Sequence, residues 1–77
     1  MHQGQAEPPA ALAYFAGRAR RIASTAPSGS LTGKAARRLL RIFTTAGQTP
    51  DSARQAIAAI TDPQIRATAG RLMDMLD

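Results

Sequence analysis

Residues 31–47 read LTGKAARRLLRIFTTAG and carry two stripes at one spacing. Ala36, Leu39, Leu40 and Phe43 stand three and four residues apart, and so do Lys34, Arg37, Arg38 and Arg41. An α-helix turns by about 100° per residue, so each set returns to a single face. The sets are offset by two residues, about 200° of rotation, which puts them back to back. The spacing predicts a helix from Thr32 or Gly33 to Ala46, with a core face, a four-cation face, and Gly47 closing it in the left-handed conformation.

The pattern continues on both sides of this segment. Pro8-Pro9, Ser24 to Ser30 with Pro27 and Gly29, Gly47-Gln48-Thr49-Pro50 and Thr61-Asp62-Pro63 are breakers or helix starts. Between them apolar residues recur at helical spacing, no run alternates with period two, and Val is absent. A first helix is expected from Pro9 to Ala23, with Leu12, Phe15, Ala16, Ala19, Ile22 and Ala23 inward and Tyr14, Arg18, Arg20 and Arg21 outward. A third starts with Thr49 as N-cap and Pro50 as first residue, Asp51 complementing its positive end; its stripe is Ala53, Ala56, Ile57 and Ile60. The fourth is expected to open with a capping box of Thr61 and Gln64 and to bury Ile65, Ala69, Leu72, Met75 and Leu76. The expected fold is all-α, a compact bundle of four short helices, with residues 1–8 a tail and 9–77 a single domain.

Composition sets the energetic terms. Of 77 residues, 17 are Ala and only 13 are Leu, Ile or Phe, while Cys and Trp are absent. A chain of this length buries about 60% of its unfolded surface, and each Ala adds little to that burial. With no disulfide available as a staple, pairing into a homodimer, or completion on a partner, is expected. No run approaches the roughly 18 apolar residues of a membrane span, and MHQGQAEPP lacks the basic-then-apolar order of a secretory signal. A cytoplasmic protein without a membrane partner is expected.

Catalysis finds little material here. The one His is at position 2 and there is no Cys, which leaves no metal-ligand set. The carboxylates are Glu7, Asp51, Asp62, Asp74 and Asp77, and Asp51 and Asp62 already have work as helix-start residues. No enzymatic activity, metal, cofactor or small-molecule substrate is expected. Gly29 to Ala35 echoes a phosphate-binding loop, but it is one residue short, has Ala35 where Ser or Thr is needed, and follows no strand. The start of the second helix, with Ser30, Thr32 and Lys34, suits a single phosphate. An ordinary helix cap explains the same residues.

Charge is the informative feature. The formal net charge is +5, and residues 1–41 hold seven of the ten basic side chains but only Glu7 as an acid, whereas residues 42–77 hold three basic and four acidic. Lys34 with Arg38, and Arg37 with Arg41, are like charges four residues apart, destabilising a helix by about half a kcal/mol together. The stripe has no folding rationale, and a polyanion would relieve it. The leading expectation is a small non-enzymatic regulatory protein that contacts nucleic-acid phosphates, DNA rather than RNA, through Arg18, Arg20, Arg21, Lys34, Arg37, Arg38 and Arg41. Other readings of the stripe are a solvated face, neutralisation by Asp51, Asp62 or Asp74, and docking of an acidic protein. The alternative function is an interaction adaptor or inhibitor, acting on a regulator or secretion component through an apolar strip of Ile65, Leu72, Met73, Met75 and Leu76. Residues 42–60 also allow a helix-turn-helix with Arg54 and Gln55 as base contacts, although Phe43 and Gln48 fit its crossing and turn poorly.

Overall fold

Helices form where the apolar spacing places them. In the computed structural model, which describes residues 10–76 and side chains from residue 12 onward, they are α1 (Ala10–Thr25), α2 (Leu31–Phe43), α3 (Pro50–Ala58) and α4 (Pro63–Leu76). No strand occurs among the described residues. The expected tail and the start at Pro9 lie outside them.

α2 is the centre of the bundle, packing against α1, α3 and α4, while α3 also packs on α4. Its buried face holds Ala35, Ala36, Leu39, Ile42 and Phe43, one column wider than the expected stripe, and Leu40 is only half-buried. A helix touching neighbours on two sides must bury a wider arc than one touching a single neighbour. Leu12, Ala16 and Ala19 of α1, Ala53 and Ile57 of α3, and Ala69, Leu72, Met73 and Leu76 of α4 are buried with it in one core cluster. Six of the fifteen buried apolar residues are Ala, so backbones approach closely and little surface is gained per contact. The Cα radius of gyration, 12.3 Å, is nevertheless near the roughly 11.5 Å of a compact chain of this length.

Two helix ends differ from expectation because hydroxyl groups satisfy the last carbonyls. α1 runs past Ala23 to Thr25, where Ser24 Oγ donates to the Arg20 carbonyl at 3.0 Å and Thr25 Oγ1 to that of Arg21 at 3.1 Å. α2 stops at Phe43 rather than Ala46. Thr44 Oγ1 donates to the Leu40 carbonyl at 2.8 Å, Thr45 Oγ1 to Arg41 at 2.9 Å and Gln48 Nε2 to Ile42 at 3.1 Å, which replaces the next helical turn. Gly47 is left-handed as expected, with φ 80°, but it serves the turn closed by the Gln48 N–H on the Thr45 carbonyl.

The helix starts follow from caps. Thr49 and Ser52 form a reciprocal capping box at α3, with Pro50 in the first turn as expected. At α4 the cap is Asp62, not Thr61: its Oδ1 accepts from the N–H groups of Gln64 at 2.8 Å and Ile65 at 3.2 Å, and Pro63 takes the first helical position. Asp62→Ala is therefore expected to cost about 0.5–2 kcal/mol, whereas Thr61→Ala, at an exposed position, leaves stability unchanged. Thermal unfolding of the two variants by circular dichroism separates these outcomes.

On α4 the expected stripe is corrected at one place, where Met75 is 74% exposed and Met73 is buried in its stead. Among the described residues the large exposed apolar side chains are Tyr14, Leu31 and Met75, on three different helices. Among the described residues no helix is long and apolar enough to cross a membrane.

Candidate nucleic-acid interface

The basic side chains divide into those the fold uses and those it leaves outside. In the second half of the chain each Arg is engaged. Arg54 Nη1 lies 3.7 Å from Asp74 Oδ1 across the α3–α4 groove, Arg66 Nη1 donates to the Ile60 carbonyl at 2.9 Å, and Arg71 Nη2 donates to Thr68 Oγ1 at 3.4 Å. The bond from Arg66 satisfies a carbonyl in the connection after α3, and the contact from Arg71 satisfies a buried hydroxyl, so both have structural uses.

Lys34, Arg37, Arg38 and Arg41 are different. All four are exposed on α2 and surround one open depression, with Ile65 of α4 as its apolar wall. Among the described residues none of them is paired with a carboxylate. The acids expected to neutralise them act elsewhere: Asp74 faces Arg54, Asp62 caps α4, and Asp51 lies in the first turn of α3. None of these three forms an ion pair with the α2 cations among the described residues. Arg41, in the last turn of α2, gains from the negative helix end, but Lys34 stands near the positive end, where a cation is disfavoured and where no acid is present.

α1 carries its cations in a second place. Arg18 and Arg21 border an open depression with Tyr14, Ala13 and Gly17, whereas Arg20 does not line it. The ring of Phe15 lies 5.8 Å from that of Phe43, so the start of α1 sits against the end of α2, beside Arg41 in sequence. The seven expected phosphate contacts are thus all exposed, in two clusters with Arg20 apart.

The single-phosphate reading of the α2 start meets an obstacle. Ser30 Oγ is already used as the N-cap, accepting from the Gly33 N–H at 3.0 Å. Gly33 is buried under residues 26–30, and a Cβ there would stand 3.2 Å from Ser30 Oγ and 3.4 Å from the Pro27 carbonyl oxygen. The loop that would cradle a phosphate is folded over the helix end instead, as an ordinary cap.

The connection from α2 to α3 departs from the helix-turn-helix spacing. Six residues, 44–49, separate α2 from α3, against the three or four of that motif, and Gln48 stitches them, its Nε2 on the Ile42 carbonyl and its Oε1 accepting from Ser52 Oγ. In the sequence Gln48 reads only as a poor turn residue, whereas its amide joins an end of α2 to the cap of α3. Of the suggested base contacts, Gln55 is exposed and Arg54 is held toward Asp74.

The residues of the adaptor alternative are mostly interior. Leu72, Met73 and Leu76 are buried in this chain's own core, Ile65 is half-buried against it and Met75 alone is well exposed, so they form no continuous apolar strip. Among the described residues no cluster of His, Asp or Glu has a metal-binding arrangement. Comparison with protein-family models, curated proteins and solved structures gives no match.

Proposed function

We propose that the protein is a small, non-enzymatic regulator that binds nucleic acid through its phosphates, with Lys34, Arg37, Arg38 and Arg41 of α2 as the principal contacts and Arg18, Arg20 and Arg21 of α1 as supporting ones. One observation carries the reading: four cations on one helix face, without acidic partners among the described residues, in a chain whose other Arg side chains beyond residue 41 are engaged. A solvated helix face ordinarily interleaves signs because opposite charges at this spacing are stabilising. α2 forgoes that gain. The guanidinium groups supply planar, bidentate donors suited to phosphate oxygens. DNA is the proposed polymer. The Ala-rich core supports pairing of two copies as part of the same proposal, which would double the phosphate contacts.

The test is the salt dependence of binding. If the four α2 cations each neutralise one phosphate, log affinity falls against log salt with a slope of about −3.6 on duplex and about −2.8 on single strands. Fluorescence anisotropy of labelled DNA over a salt series measures it. A flat response, or no binding at low salt, overturns the proposal.

A further inference from the structure

Tyr14 is the only tyrosine of the chain, and it is 59% exposed on α1. The ring lies outside the core; Phe15, beside it, is the ring that packs inward on Phe43. The surroundings of Tyr14 are specific. The Arg18 guanidinium carbon lies 5.8 Å from the ring centroid, and Arg18 Nη1 donates to the Tyr14 hydroxyl at 3.4 Å. Phe15 meets the ring edge-on with centroids 5.7 Å apart, which buttresses one side. Ala13 and Gly17 border the depression beside the ring, and a Cβ on Gly17 would meet nothing within 4 Å. An exposed ring with Arg18 against it and Arg21 at the border of the depression results.

We infer that Tyr14 and Arg18 form a stacking platform for an unpaired nucleobase, and that the partner is therefore single-stranded DNA. The inference rests on the phosphate-binding reading above and narrows it. Phenol rings and guanidinium planes both stack on bases, whatever the sequence, but bases of an intact duplex present only their edges. Arg18 and Arg21 supply charge for the phosphates flanking the stacked base. The platform on α1 and the four-cation depression on α2 are separate places on the surface, and the stacking site is argued from α1 alone.

The chain contains no Trp, so tyrosine emission reports on Tyr14 alone. Titration with oligo(dT) is expected to quench that emission along the same isotherm that anisotropy follows, and a blunt duplex of equal length is expected to bind more weakly and quench little. Tyr14→Leu should weaken oligo(dT) binding by roughly 5- to 150-fold, the range for one stacked base, while Tyr14→Phe, which keeps the ring, binds as the unchanged protein does. Helical content of both variants is checked by circular dichroism; Tyr14 is exposed, and its replacement leaves the core intact. Salt-dependent binding with unchanged Tyr14 emission, or duplex bound more tightly than single strand, overturns the platform and leaves the phosphate reading standing. Absence of binding to either form at low salt overturns both.

Discussion

Phe43→Ala is expected to lower the thermal midpoint by at least about 12 °C and to remove most of the chain's stability. Phe43 is fully buried at the end of α2, against Phe15 of α1 and in the same core cluster as the α4 residues. Truncating a buried Phe costs about 3–5 kcal/mol through lost transfer energy and the cavity left behind. A domain of this length has roughly 4–12 kcal/mol in total, and an Ala-rich core belongs at the lower end. Each kcal/mol moves the midpoint of so small a domain by about 4–8 °C. Leu40→Ala provides the contrast. The sequence stripe treats Leu40 and Phe43 as equivalent, but Leu40 is half-buried, so its truncation should cost less than half as much. Equal losses at the two positions would contradict the rotation of α2 described above. Measuring the unchanged protein over a wide concentration range settles the pairing proposal in the same experiment. A midpoint that rises with concentration supports a dimer, and a constant one overturns it.

The fold class and helix number were legible because periodicity is a local property: Ala36, Leu39 and Phe43 are buried as their spacing requires. Helix ends were less legible, since competent capping residues stand side by side. Thr61 and Asp62 can both cap α4, and a Gln64 three residues after Thr61 favoured the former. Pro63 carried the better signal, because proline is suited to the first helical position and so makes the preceding residue the cap. The exchange of Met73 for Met75 has a different cause. At about 100° per residue the two flank the stripe of Ile65, Ala69, Leu72 and Leu76 on opposite sides at comparable angles. Nothing within α4 distinguishes them. The position of α3 does: Met73 lines the groove with Ile57 and Arg54, and Met75 faces away from the core. The cation stripe was readable in full, but not the engagement of Asp62 and Asp74 elsewhere, which depends on contacts that residue types alone do not specify.

The triple variant Arg37→Gln, Arg38→Gln, Arg41→Gln is expected to lose DNA binding while its fold is preserved or slightly strengthened. Each phosphate contact contributes a slope of about 0.9 on duplex and 0.7 on single strands, so at about 0.1 M salt it is worth roughly 8-fold and 5-fold. Removing three should cost about 500-fold on duplex and about 100-fold on single strands, and the salt slope should fall to about one quarter of its value. Stability moves the other way or not at all. The three side chains are exposed and meet no carboxylate among the described residues, Gln is a good helix former, and two like-charge pairs at four-residue spacing disappear. The loss of Arg41 from the last turn offsets part of that gain, since a cation there favours the helix dipole. Opposed effects on binding and folding distinguish a face kept for a ligand from one kept for structure. A solvated face predicts the same small change in stability with binding unchanged, and a structural face predicts both lost together. Either result, read by anisotropy and thermal unfolding of the same preparation, would remove α2 from the proposed interface.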